Sequence, residues 1–164
     1  MRFSANTVKK MIKSVDYIPL QLRTDKECQA TEYFNIRKGD RSLLEFAFDS
    51  KDSTIHRITL LICEEYRKTM KTYYIPDKHK NGDVLIDGSG EIDTPTFRCV
   101  IYPNAVRIVV SDADSSECIS SENLVWELTN QGDLVSICVL DPTGIVSEHC
   151  FRELEANLFH NYCC

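Results

Sequence analysis

Apolar side chains recur at every second position through the middle of this chain, and a period of two admits only strands with one buried face. Phe34 and Ile36, then Leu44, Phe46 and Phe48, alternate with polar residues on either side of Lys38-Gly39-Asp40. That pattern predicts two antiparallel strands joined by a glycine-bearing turn. A second hairpin is expected from residues 97–102 and 106–111, closed by Tyr102-Pro103-Asn104-Ala105, where proline presets the first central turn residue. A third is expected from 124–128 and 134–140 around Asn130-Gln131-Gly132-Asp133. Residues 84–86 read as a short strand between polar connections at 78–83 and 87–95. Residues 55–62 fit two periods, since Ile58, Leu61, Ile62, Tyr66 and Met70 would also form a helical stripe. Their β-branched content, directly after a turn at 49–53, decides for strand.

Two segments read as helices. Residues 6–14 place Val8, Met11, Ile12 and Val15 at the spacing of a buried helical stripe, with Ser4 or Asn6 as cap. From Ser147 onward Phe151, Leu154, Leu158 and Phe159 supply one apolar face, and Val146 can staple against Phe151. Residues 17–22, held by Pro19, are expected to be extended. The expected fold is α+β in a single domain over residues 1–164, a mainly antiparallel sheet with an N-terminal and a C-terminal helix packed on it. Its core is expected to comprise Leu44, Phe46, Phe48, Phe97, Cys99, Ile101, Val106, Ile108 and Val110, with Trp126 facing inward beside Leu124 and Leu128.

Of 164 residues 43% are hydrophobic and 27% charged, the balance of a chain that can bury a core without a metal or disulfide. Residues 1–13 lack the apolar run of a secretory signal, and no stretch approaches a membrane span, so a cytoplasmic protein without a membrane partner is expected. The eight cysteines include no CxxC and read as reduced thiols.

The charge is uneven. Residues 1–82 hold sixteen Lys/Arg against eleven Asp/Glu, a balance of +5, whereas residues 83–164 hold three against fourteen, −11. An acidic surface repels nucleic acid and suits a basic protein. Asp87, Glu91, Asp93, Asp112, Asp114, Glu117 and Glu122 fall on the connections around the C-terminal strands and are the expected partner-binding residues. Interleaving of the two halves in the fold would blunt this field.

Motifs for chemistry are sparse. Asp112-Ala113-Asp114 after a strand has no downstream lysine for a phosphatase of the haloacid-dehalogenase type, and an EF-hand loop starting there would need glycine and glutamate where Glu117 and Asn123 stand. His56, His79, His149 and His160 form no zinc-binding spacing. Neither a catalytic residue, a metal site nor a cofactor is expected.

The order of segments resembles small bacterial immunity proteins of contact-dependent growth inhibition and other polymorphic toxin systems. The likeness lies in Leu44-Glu45-Phe46-Ala47-Phe48, Ile58-Thr59-Leu60-Leu61-Ile62, Val100-Ile101-Tyr102 with Val106-Arg107-Ile108, and Asp133-Leu134-Val135-Ser136-Ile137-Cys138-Val139, followed by a terminal helix, over about residues 40–160. It implies a non-enzymatic protein that binds a toxin domain, often a basic nuclease, and blocks its active site. The alternative is a small enzyme or ligand-binding domain whose polar groups converge only in three dimensions.

Overall fold

In the computed structural model, which describes residues 1–4, 10–15, 18–24, 28 and 30–140, the alternating segments form two sheets stacked face to face. Strands are numbered along the chain. The first sheet holds, in spatial order, β10 (Gly90–Asp93), β4 (Thr31–Lys38), β5 (Ser42–Asp49), β6 (Ile55–Cys63), β3 (Ile18–Thr24) and β2 (Lys10–Val15). The second holds β7 (Tyr66–Lys68), β11 (Arg98–Tyr102), β12 (Ala105–Val109), β15 (Leu134–Leu140), β14 (Leu124–Leu128), β13 (Glu117–Ser121) and β8 (Lys80–Asn81). A small ribbon pairs β1 (Arg2–Ser4) with β9 (Asp83–Leu85).

The three expected hairpins are present as β4–β5, β11–β12 and β14–β15, and residues 55–62 are strand. Lys38 pairs with Ser42, and between them Gly39 has a φ of 53°, a left-handed conformation in which glycine is unstrained. Alternation then fixes which side chains meet. Leu44, Phe46 and Phe48 from the first sheet, Cys99, Ile108, Ile137 and Trp126 from the second, and Phe97 just before β11 share one core. The rings of Phe46 and Trp126 lie 6.1 Å apart at 31°, which ties the sheets together at their centre.

The expected α+β architecture is overturned: among the described residues the fold is all-β. Lys10–Val15 is a strand paired antiparallel with β3, Ile12 opposite Leu22 and Met11 opposite Arg23. A helix of about nine residues is marginal in water by itself, whereas β3 is also hydrogen-bonded to β6 and offers a template on its other edge. The core expected to pack against helices packs instead against a second sheet. The predicted helix from Ser147 lies outside the described residues. The sheets are also mixed rather than purely antiparallel, because β10 runs parallel to β4, β7 to β11 and β8 to β13.

His56 sits in β6, half-buried, its Nε2 without a hydrogen-bond partner. Burial chiefly, with the Arg57 and Arg23 charges nearby, lowers its pKa below 6.5, against a weaker opposite pull from Asp49. The unfolded chain therefore takes up this proton first as pH falls. The stability due to neutral His56 is complete above pH 6.5 and is lost as pH drops through the folded-state value. Thermal unfolding of the parent should thus weaken more between about pH 7 and 5 than that of His56→Gln. Parallel pH profiles for the two proteins would contradict this.

Candidate functional site

Both sheets converge at one end of the sandwich, where the chain leaves β6 at Cys63 and enters β7 at Tyr66. Glu64 and Glu65 lie in that crossing, outside either strand. Beside them is a groove of about 540 Å³, walled by residues 64–68 and by Arg98 and Cys99. A second hollow of about 360 Å³ shares Arg67 and Lys68 with it and reaches Val100 and Tyr102. Arg41 reaches Glu64 at 2.6 Å, and Lys38 pairs with Glu65, so the β4–β5 turn leans over the mouth of the groove.

Arg98, on the opposite wall, donates to Asp112 at 2.8 Å, and the Thr96 hydroxyl donates to the same carboxylate at 2.6 Å. The Thr96 hydrogen bond and then Arg98 hold the Asp112 carboxyl below its usual range. Asp114 is exposed two residues further on. Thr94 fastens this end: its N–H donates to the Arg37 carbonyl in the first sheet and its hydroxyl to the Val110 carbonyl at the end of β12, each at 2.8 Å. Asp93 on the edge strand β10, which accepts the Gly39 N–H at 3.2 Å, therefore belongs to the same end as Asp112.

The seven predicted acidic residues do not all meet. Glu91, Asp93, Asp112 and Asp114 belong to this end and the adjoining edge of the first sheet. Glu117 begins β13 on the far side of the second sheet, and Glu122 occupies the β13–β14 turn. Asp87 is exposed after β9. Several carry basic partners: Glu91 pairs with Arg37 at 3.0 Å, Glu117 with Lys80, and Asp112 with Arg98. The first two pairs join the basic and acidic halves of the chain, because parallel pairing lays β10 against β4 and β8 against β13.

A second polar cluster covers the outer face of the second sheet. Strands β7 and β8 lie at its opposite edges, so residues 69–79 cross its outer face as a strap. Six strand spacings of ~4.8 Å make roughly 29 Å, within the reach of eleven residues at ~3.3 Å each. Asn104 clamps the strap through both backbone groups of Tyr73, at 2.9 and 3.0 Å. Tyr73 and Ile75 pack with Ala105, Cys118, Val125 and Cys138, and the Tyr73 ring meets Tyr102 edge-on at 5.4 Å. On the same face Arg107 pairs with Glu127 and donates to the Ser136 hydroxyl at 3.0 Å; that hydroxyl donates to Glu127 at 2.7 Å. Burial pushes the Cys138 thiol up to about 12 and Cys118 to about 11, and raises Tyr73 well above the usual phenol range. These groups stay protonated and are structural.

The groove escaped sequence reading because its walls come from two crossings, not from a contiguous motif. The pairing of Glu64 with Arg41 and of Glu65 with Lys38 follows from the β4–β5 turn overhead. Among the described residues no group of His, Cys, Asp or Glu is placed to hold a metal ion, and no helix is long and apolar enough to cross a membrane.

No family model matches the chain. It is similar to an L-ascorbate oxidase homolog of Nicotiana tabacum, 25% identical over 121 residues, which cover 64% of this chain and 21% of that protein. The chain thus spans about a fifth of the length of the curated relative it matches.

Proposed function

We propose that this β-sandwich is a protein-binding module of the immunity type, which neutralises a basic toxin domain by docking through the end of the sandwich that carries Asp93, Asp112 and Asp114. The observation that supports it best is the preorganisation of Asp112. Its carboxylate is held by Thr96 and Arg98 in one orientation, so a cationic partner would meet a fixed anion and lose little entropy in ordering it. Asp114 beside it adds exposed negative charge on the same loop. Glu117, Glu122 and Asp87 stand apart from this end and are secondary in the proposal. The limited likeness to the tobacco protein does not carry that protein's named activity to this chain.

The test is association with a basic toxin domain, sought first in the product of the neighbouring gene, followed at increasing ionic strength. Asp112→Lys with Asp114→Lys should slow association about tenfold or more at low salt while leaving thermal unfolding nearly unchanged. The difference should shrink as the Debye length falls from ~10 Å at 0.1 M to ~3 Å at 1 M. Equal rates with equal salt slopes would remove this loop from the interface. A second reading, a ligand-binding domain, is favoured by the 540 Å³ groove with Arg67 and Arg98 on its walls; it predicts that small anions protect Arg98 from arginine-selective modification.

A further inference from the structure

We propose that Cys63 and Cys99 form a redox-active thiol pair, which a low-molecular-weight disulfide entering the groove converts into a covalent link between the two sheets. Cys63 is the last residue of β6 in the first sheet, and Cys99 lies in β11 of the second. The Glu65 carbonyl oxygen brings them together: it accepts the Cys63 thiol at 3.1 Å and the Cys99 backbone N–H at 2.8 Å. Sharing that one carbonyl oxygen places the Cys63 sulfur beside the Cys99 backbone, and the two thiols influence each other's ionisation. Cys99 borders the groove but is fully buried; Cys63 is 9% exposed directly before Glu64 and Glu65, which wall the groove, so the approach from solvent is to Cys63.

The two sulfurs are unequal. The Cys99 side chain favours the anion of Cys63 and lowers its pKa despite burial, whereas the same contact and complete burial raise that of Cys99. Cys63 keeps a 9% exposure whereas Cys99 has none, so Cys63 is the sulfur that a small disulfide reaches; it attacks as the thiolate, and Cys99 is the resolving thiol. Elsewhere in the fold burial pushes Cys118 up to about 11 and Cys138 to about 12. Arg67 and Arg98 on the groove walls suit an anionic disulfide such as oxidised glutathione.

The reaction balances in two exchanges. The Cys63 thiolate attacks one sulfur of the small disulfide, forming a mixed disulfide and releasing one thiolate. The Cys99 sulfur then attacks that of Cys63, releasing the second thiolate, which leaves with the Cys99 proton. The protein is oxidised by two electrons, and one disulfide is reduced to two thiols.

Oxidised glutathione added to the folded protein, followed by alkylation and peptide mapping without reductant, tests the proposal. The parent should lose the alkylatable thiols of Cys63 and Cys99, retain no glutathione at either, and yield a linked peptide pair containing both. Its unfolding temperature should rise by roughly 5–10 °C, because the link constrains the unfolded chain. In Cys99→Ser the mixed disulfide should persist at Cys63, and in Cys63→Ser the Cys99 thiol should stay unmodified. Glutathione retained at Cys63 in the parent, or faster modification of Cys118 or Cys138 than of Cys63, would overturn the proposal. The parent measurements decide the matter even if a variant fails to fold, and none of them depends on the toxin-binding reading.

Discussion

Truncating Phe46 to alanine should lower the unfolding free energy by about 3–5 kcal/mol, the range for removing a large aromatic ring from a packed core. Phe46 has no solvent exposure, and its ring faces Trp126, itself fully buried, across the interface between the sheets. Strands on both sides of β5 hold the backbone in place, so neighbouring groups have little freedom to collapse into the space left behind. Lost transfer energy and the residual cavity therefore add. Urea unfolding should show a lower midpoint at an unchanged slope. A loss under about 1 kcal/mol would mean that the sheets are not held together through this residue.

The next largest effect is expected away from that core, at Glu127. Its side chain is 10% exposed and that of Arg107 27%, so both charges are largely withdrawn from water on the outer face of the second sheet. Burial opposes the charge on Arg107, and the Glu127 carboxylate overcomes that opposition. Glu127→Gln keeps the shape, removes the charge, and leaves the guanidinium unbalanced. It should destabilise by about 3 kcal/mol, the low end for an unpaired buried charge because Arg107 keeps some contact with water. Replacing both residues together, Glu127→Leu with Arg107→Met, should recover most of the loss, since a well-packed apolar pair can replace a buried ion pair at little cost. If the double variant were no more stable than Glu127→Gln, the charge imbalance would not be the cause.

The period-two runs were legible because each places large side chains on one face, and Leu44, Phe46, Phe48, Phe97, Cys99, Ile101, Val106, Ile108 and Val110 are all buried. What periodicity lacks is a view of the partner. Lys10–Val15 carries apolar spacing that suits a helix, and only pairing with β3, itself held by β6, makes it a strand. The edge strands β8 and β10 are wholly exposed, and apart from Ile92 neither carries an apolar side chain, so little distinguishes them from loops. The same blindness affected the candidate site. Asp112 could be singled out as an acidic loop residue, but its fixation by Thr96 and Arg98, and the meeting of Cys63 with Cys99, depend on which crossings lie side by side.

The strap over the second sheet has a consequence for the order of assembly. Residues 69–79 are synthesised before every strand between the edges they join, since β11 through β15 occupy residues 98–140. Tyr66 must find Cys99, and Lys80 must find Ile119; such distant pairings bear their loop-closure entropy before any contact rewards it. The strap consequently has nothing to lie on until the later hairpins have joined. Until it docks, β11 and β13 both present unpaired backbone, open to strands from other chains. The two ends of one continuous segment, β7 and β8, cover both borders, so both edges owe their protection from intermolecular pairing to the same stretch of chain.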